Sequence, residues 1–405
     1  MKKRVLLVSS AFQGGGVEHV ARGNLSELLR RPDRYETAVL TCRPDTLPTC
    51  PGLRVYPAED FRQNASFLSK AKNAMGLEHN GWLLRRCFQE FRPDIVHLHD
   101  YIPFTPSLLH ALAECRRRYR CRVVLTHHTY SYLCTNDMLY TLPHGEPCER
   151  CLGSYDSHIL RLNCADNMTV SAAKYLQKNL MKDSLRAAVD LHIAPSQFLR
   201  DRLLSAFPSL DVRLVYNPCL QQVDREAAPD KTEDVIYFGR VSREKNLLWA
   251  ARHFLTEEPE RRLLAVGDGP QAGQLASLLP PGETRVRFLR RFLPTGELLP
   301  LVRSARFFLL PSLWYENSPV SIVEAANAYT VPVVSDRGGM RELVDLLGAG
   351  RLFTPGNAES LHRALEEARL AWEEDRETLR QNRGRLERFT LAAYGRVMDE
   401  IYRSL

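Results

Sequence analysis

Short runs of consecutive apolar residues, rich in Val, Ile and Leu, alternate along this chain with stretches whose apolar positions return every three or four residues. The first pattern suits strands buried on both faces of a parallel sheet, the second amphipathic helices packed over it. Residues 4–9 (RVLLVS), 35–41, 93–99, 122–126, 191–194 and 212–216 read as strands, with helices over 17–30, 106–119 and 197–206. The alternation stops at Asn217-Pro218, and the polar, proline-containing stretch 219–232 reads as a linker. It then restarts, with strands over 234–238, 262–266, 286–289, 307–310, 331–335 and 352–353. Helices are expected from 246 and over 271–279, 297–303, 320–328, 340–347, 358–384 and 391–405. The expectation is an α/β chain of two doubly wound, Rossmann-like domains facing each other across a cleft. They span residues 1–218 and 233–385, and residues 386–405 are expected to return as a helix to the first. Ligands of such sheets bind at the carboxyl ends of the strands, so the cleft is the expected site.

Composition narrows this little, but charge and cysteine placement change it. Apolar residues make up 44% of the 405, too many for a disordered chain. No apolar run approaches the roughly 20 residues of a membrane span. The apolar stretch behind Met1-Lys2-Lys3-Arg4 is short, contains Ser9-Ser10 and runs into glycines, unlike a signal peptide. A cytoplasmic location is therefore expected. The net charge of +7 is uneven: residues 1–218 carry 29 basic and 21 acidic side chains, residues 219–405 carry 26 and 27. A basic first half fits either a solvated surface or an anionic partner such as a phosphate, a lipid headgroup or nucleic acid. Its densest cluster is Arg116, Arg117, Arg118, Arg120 and Arg122. The stretch 70–86 adds Trp82, Leu83 and Leu84 to its cations, suiting a helix on an anionic membrane surface or one packed on its own domain. No zinc-finger, RNP or helix-turn-helix signature is present, so nucleic acid is not an expected partner.

Cys134, Cys148, Cys151 and Cys164 crowd one segment, two of them as Cys-x-x-Cys. In a reducing compartment such spacing reads first as a metal clip, because four thiolates satisfy tetrahedral Zn²⁺ at about 2.3 Å. The alternatives are buried reduced cysteines or a redox pair. A structural Zn²⁺ held by these four is the expectation, with His144 and His158 as substitute ligands.

Several turns carry candidate chemistry. Gly14-Gly15-Gly16 lies between a strand and a helix, where backbone N–H groups can face an anion. The dinucleotide fingerprint fails, because His19 stands where its third glycine belongs, and a plain tight turn is the alternative. Arg240 and Lys245 flank the first turn of the second half and could grip a phosphate pair, or be two surface cations beside a helix start. The segment Pro311-Ser-Leu-Trp-Tyr-Glu316-Asn-Ser-Pro-Val-Ser-Ile-Val-Glu324 places one carboxylate in a loop and a second in the following helix. Together they can address two parts of a polyol ligand, and backbone N–H groups of residues 318–321 stand ready for a phosphate.

Taken together, Gly239-Arg240 with Lys245-Asn246, Gly267-Asp268-Gly269-Pro270, Pro311-Ser312, the Glu316/Glu324 pair and Gly338-Gly339 resemble the donor-binding domain of the retaining family-four glycosyltransferases, of GT-B fold. The first half is similar to that family at Gly15-Gly16-Val17-Glu18, Asp94-Ile-Val-His97, Thr126-His-His128 and Pro195-Ser196, and the four-cysteine segment resembles a subset of it. The resemblance implies that Arg240 and Lys245 hold the donor diphosphate and that Glu324 binds the ribose hydroxyls. It implies that Glu316 contacts the donor sugar beside Asn317, Ser318, Pro319 and Val320, that Gly15 and Gly16 approach the diphosphate, and that His128 sits at the reacting centre. Catalytic roles thus fall to His128, Arg240, Lys245 and Glu316. Thr129 stands where the family often has Asp, with His127 and Asp100 as candidate replacements, and Arg290-Arg291 replaces a common Gly near the expected base pocket.

Positive groups aimed at a leaving nucleotide diphosphate are the largest catalytic term available, and no Asp-x-Asp metal motif occurs in the chain. The expected activity is a metal-independent retaining hexosyltransferase with no catalytic cofactor. It would move a sugar from a nucleotide donor, UDP-sugar ahead of GDP-mannose, to a glycan or lipid-linked glycan in bacterial surface polysaccharide synthesis. The basic first half would hold that acceptor, with peripheral contact at the inner face of an anionic membrane. The alternatives are an epimerase or phosphorylase of the same fold, or a non-catalytic nucleotide-sugar-binding protein.

Overall fold

The computed structural model describes residues 2–60, 79–104, 106–220, 231 and 233–405. The expected linker stretch 221–230, with residue 232, and residues 61–78 of the aromatic-basic stretch lie outside the described residues. The chain divides into two compact units. Unit 1 comprises Met1–Asp137, Glu149–Leu220 and Leu391–Leu405, and unit 2 comprises Met138–Cys148 and Gln221–Thr390.

In chain order the first elements are β1 (Lys3–Val8), α1 (Gly16–Leu29), β2 (Tyr35–Thr41), β3 (Arg54–Pro57), α2 (His79–Glu90), β4 (Ile95–Leu98), α3 (Ser107–Tyr119) and β5 (Arg122–Thr126). A two-stranded hairpin, β6 (Tyr140–Thr141) and β7 (Glu146–Pro147), belongs to unit 2. Then come α4 (His158–Arg161), α5 (Met168–Ala188), β8 (Leu191–Ala194), α6 (Gln197–Ala206) and β9 (Val212–Leu214). Unit 1 is one seven-stranded sheet in the order β3-β2-β1-β4-β5-β8-β9, with every pair parallel. Val5 to Val8 are fully buried in its centre, each removing about 1.5–3 kcal/mol worth of apolar side chain from water.

Unit 2 continues with β10 (Glu233–Phe238), α7 (Leu247–Thr256), β11 (Leu263–Val266), α8 (Ala272–Leu278), β12 (Val286–Leu289), α9 (Thr295–Ser304) and β13 (Ala305–Leu310). These are followed by α10 (Val320–Asn327), β14 (Val331–Ser335), α11 (Gly339–Leu347), β15 (Arg351–Phe353), α12 (Ala358–Leu370), α13 (Trp372–Gln381) and α14 (Arg383–Glu387). Its six strands order as β12-β11-β10-β13-β14-β15, again all parallel. Helix α11 shows how the sequence builds such a layer. Met340, Leu343, Val344 and Leu347 repeat at helical spacing and are buried, and Gly348 closes the helix at φ 69°. The last helix, α15 (Leu391–Ser404), belongs to unit 1, where Asp399 accepts from Tyr35 Oη at 2.7 Å and from Arg34 at 2.6 Å.

Several elements differ from the sequence expectation, among them a helix, a helix break and an edge strand. The single helix expected over 358–384 is three, because Ala371 and Asn382 leave the α conformation while Trp372 is clamped between the guanidinia of Arg306 and Arg376, each 5.2 Å from its ring. Helix α5 was not expected at all: it buries Ser171 and Lys178 and exposes Leu176 and Leu180, which blurs its apolar stripe. Strand β3 is a short edge strand ending in Pro57, too brief to register as a run. Among the described residues, no helix is long and apolar enough to cross a membrane.

Candidate active site

In unit 2 the strand order reverses between β10 and β13, and the loops leaving these strands carry the chemistry. Behind β10 comes Gly239-Arg240, then a 3₁₀ turn over Arg243–Lys245. The loop behind β11 packs on it backbone to backbone: a Cβ at Gly267 (φ 150°) would fall 1.8 Å from the Gly239 carbonyl, so only glycine fits. The loop behind β13 is tied to the same turn by Leu313 N–H donating to the Glu244 carbonyl at 2.8 Å. Gly338, at φ 56° behind β14, lets the next turn approach until Gly339 N–H donates to the Glu316 carbonyl at 2.7 Å.

These constraints converge on one carboxylate. Glu316 is buried, and its Oε1 accepts from Lys245 Nζ, from Ser312 Oγ at 2.6 Å and from Trp314 Nε1–H at 2.8 Å. The Lys245 ammonium also lies over the Trp314 ring, 5.5 Å from its centroid. Charge and counter-charge are thus oriented together by a hydroxyl and an indole. Asn317, Ser318 and Pro319 lead into the N-terminus of α10, whose positive dipole end favours an anion. Glu324 lies on α10, and desolvation lifts its carboxyl to about 7. Arg240 is exposed beside this loop cluster, its carbonyl held by Tyr237 Oη–H at 2.6 Å. Arg290 and Arg291 are exposed and paired, with Asp268 at 3.5 Å and Glu297 at 3.1 Å.

Unit 1 holds the other expected residues. Gly15 caps α1 and Gly16 opens it, and the Glu18 side chain folds back over Gly14 and Gly15. His128 follows β5 and lines a small cavity of about 30 Å³ with His99, Asp100, Tyr101, Thr129 and others. Its Nε2 lies 3.1 Å from His99 Nδ1. Behind His99, Asn24 Nδ2 lies 2.9 Å from both His99 Nε2 and His97 Nδ1 and 2.8 Å from Tyr402 Oη. His97 Nε2 lies 2.8 Å from Thr126 Oγ1. A second pair, His127 and His192, meets at 2.9 Å with stacked rings. Burial holds His97 and His128 down near 3, His192 near 4, and His99 and His127 well below the usual imidazole range. Of the two residues expected to replace a family Asp, His127 is committed to His192, while Asp100 accepts from Ser10 Oγ at 2.8 Å at the cavity wall. Thr129 Oγ1 accepts from Ser131 N–H at 3.3 Å.

The four cysteines divide between the units, Cys148 in unit 2 and Cys134, Cys151 and Cys164 in unit 1. Among the described residues, no group of three or more His, Cys, Asp or Glu side chains is placed to hold a metal ion. Cys151 instead donates weakly to Asp156 at 3.8 Å, and burial, reinforced by Cys134, pushes its thiol up to about 12.

Trp314 and Asn24 belong to these clusters and were not singled out from the sequence, while Ser312 and His97 entered only as parts of longer motifs. The available signal was His97 on β4 with His99 just past its end, next to His127 and His128 just past the end of the adjacent β5. Unit 2 also has a larger cavity of about 730 Å³, but Asp234, Arg261 and Arg262 place it at the amino ends of the strands, away from these loops.

Two doubly wound parallel units, the second with a cation–carboxylate centre behind its switch point, define the GT-B class of glycosyltransferases. Residues 14–219 match the family model described as Glycosyltransferase Family 4, and residues 232–369 the model described as Glycosyl transferases group 1. The chain belongs to glycosyltransferase family 4. Alpha-maltose-1-phosphate synthase of Mycolicibacterium smegmatis is 30% identical over 182 residues, 39% of this chain and 46% of that protein, so the match spans less than half of the curated relative. Among solved structures, sucrose-phosphate synthase from Thermosynechococcus elongatus has a TM-score of 0.72 at 17% identity, covering 100% of this chain and 99% of that one. Anabaena HepE in complex with UDP has a TM-score of 0.64 at 18% identity, with 100% of both chains covered. At these identities the structural likeness carries the fold.

Proposed function

We propose that the chain is a retaining, metal-independent glycosyltransferase that moves a hexose from a UDP-sugar to a glycan or lipid-linked glycan acceptor. The observation that carries this reading is the convergence of Lys245, Ser312 and Trp314 on Glu316 behind the switch point of unit 2. A diphosphate arriving there meets a lysine already placed, together with Arg240 and the N-terminus of α10. Lys245 would pass from Glu316 to the phosphate, leaving Glu316 to accept from donor-sugar hydroxyls, and Glu324 would accept from the ribose hydroxyls. In the transfer, the bond from the anomeric carbon to the β-phosphate oxygen breaks as the acceptor oxygen bonds to that carbon on the same face. The acceptor proton passes to the departing phosphate oxygen, so no protein base is required.

UDP is favoured over GDP because a structural neighbour of full coverage is described with UDP bound. The basic excess of residues 1–218 supports an anionic acceptor, such as a lipid-linked glycan at the inner membrane face used in surface polysaccharide synthesis. Calorimetry with UDP and GDP tests the donor half. The anomeric configuration of the product, read by NMR, tests retention, and an inverted product would refute the mechanism.

A further inference from the structure

We propose that Asn24 and His99 are positioning residues that fix His128 as the Nδ1–H tautomer, so that its ring meets the reacting sugars as a neutral hydrogen-bond donor and not as a base. This rests on the reading that places His128 at the reacting centre.

The argument follows the protons along the chain of contacts. An amide nitrogen only donates. Asn24 Nδ2, 2.9 Å from His99 Nε2, therefore makes that ring nitrogen an acceptor. A neutral imidazole carries one proton, so the His99 proton sits on Nδ1 and is donated to His128 Nε2 at 3.1 Å. His128 Nε2 is then an acceptor in turn, and the His128 proton is left on Nδ1. Both rings are neutral because burial depresses them, reinforced at His99 by His97 and His128, and their ring nitrogens meet an amide and each other. The branch to His97 is consistent. Tyr402 gives its single proton to His97 Nδ1 at 2.6 Å, so the His97 proton lies on Nε2 and reaches Thr126 Oγ1 at 2.8 Å.

Asn24 is buried and Tyr402 comes from α15, so the last helix of the chain braces the hub of the relay. With the Tyr402 proton on His97, the second amide hydrogen of Asn24 goes to Tyr402 Oη at 2.8 Å, which leaves the amide nitrogen facing the histidines. Turning the amide over would reverse every proton in the chain and leave His128 as Nε2–H. The geometry thus makes an opposite, observable alternative.

The test is a long-range ¹H–¹⁵N correlation spectrum of the full-length, ¹⁵N-histidine-labelled protein at pH 7.5, with His128 assigned by its loss in His128→Gln. An unprotonated Nε2 and a protonated Nδ1 on His128 are expected; a protonated Nε2 overturns the relay. Asn24→Asp replaces a donor with an acceptor of the same shape. It should reverse the His128 tautomer and lower kcat by about 10-fold or more with unchanged nucleotide affinity. An unreversed tautomer overturns the proposal, whereas reversal with unchanged kcat overturns the placement of His128 at the reacting centre. Should Asn24→Asp fail to fold, Tyr402→Phe serves: it leaves the Asn24 amide between the two histidines and should keep His128 as Nδ1–H, and a reversal there overturns the relay.

Discussion

The two units wind their sheets in the same order, three strands running outward from the first and the rest returning on its other side, yet they furnish the strand ends in opposite ways. In unit 2 the loop end behind the switch point carries an ion pair, Lys245 on Glu316, assembled before any ligand arrives. In unit 1 the corresponding end carries imidazoles bonded to one another, to Asn24 and to Thr126, kept neutral by burial. The difference fits a division of labour. A departing diphosphate gains negative charge and needs cations, while sugar hydroxyls need neutral donors and acceptors that hold their orientation. One winding supplies both because the side chains at its strand ends are independent of the apolar residues that build the sheet.

The harshest test of this contrast is to remove the charge from unit 2. Lys245→Ala should lower kcat by about 10²-fold or more, and Arg240→Ala by a comparable or smaller factor, with product formation from a UDP-sugar as the measurement. Both variants retaining full turnover would move the chemistry away from this unit.

Opposite electrostatics also predict opposite responses to pH. For the histidines the folded-state values, near 3 for His97 and His128 and near 4 for His192, lie below the ordinary value of 6.5. Below that pH the unfolded chain binds protons that the folded unit refuses. Unit 1 therefore loses stability as pH falls from 6.5 toward 4, by up to about 1.4 kcal/mol per pH unit for each buried imidazole. Glu324 runs the other way. Its folded value, raised to about 7 from 4.5, means that the folded unit holds a proton the unfolded chain has released, so its contribution is lost as pH rises from 4.5 through 7. Hydrogen exchange at pH 7.5 and 5.5 should show protection of β4 and β5 falling on acidification while α10 holds or gains. Parallel loss in both units would contradict the contrast.

How much of this could be read in advance differs between the units for the same physical reason. The strands of both were legible, since fully buried parallel strands advertise themselves as unbroken apolar runs such as VLLV at 5–8 and VPVV at 331–334. Unit 2 was also legible as a site, because Glu316 and Glu324 lie close in sequence and its glycines mark turns. Of the relay in unit 1 only His128 was singled out, through the resemblance: Asn24, His99 and Tyr402 come together across as many as 378 positions of separation, and each of these three alone resembles an ordinary core polar residue. Trp314 was passed over as a loop aromatic, although its indole N–H bonds Glu316.

Glu324 offers a sharper instrument than a global pH change. Glu324→Gln removes a carboxyl that ionises reluctantly, so at pH 8 the free protein should gain stability, by about 3 kcal/mol at most from the size of the shift. The same change should weaken nucleotide binding by about 10-fold, since an amide accepts ribose hydroxyls less strongly than a carboxylate. Thermal melts at pH 8 and calorimetry with UDP separate the two effects. A variant that loses both stability and affinity would show that Glu324 braces the fold and does not serve the ligand.

The smallest expected effect concerns how the ion pair of unit 2 is aimed. Trp314→Phe deletes the indole N–H that reaches Glu316 at 2.8 Å and keeps an aromatic face for Lys245. Ser312 Oγ and Lys245 still hold the same oxygen, so one of three donors is lost at a partly exposed position, worth about 1 kcal/mol or roughly fivefold in kcat. Nucleotide affinity should not move, because Trp314 aims the carboxylate assigned to the sugar. Trp314→Leu should cost more by losing the cation–π contact as well. If Trp314→Phe proved as damaging as Lys245→Ala, orientation and not charge would dominate in unit 2. The two strand ends would then differ in the groups they use but not in how they work, since the relay of unit 1 also acts by orientation.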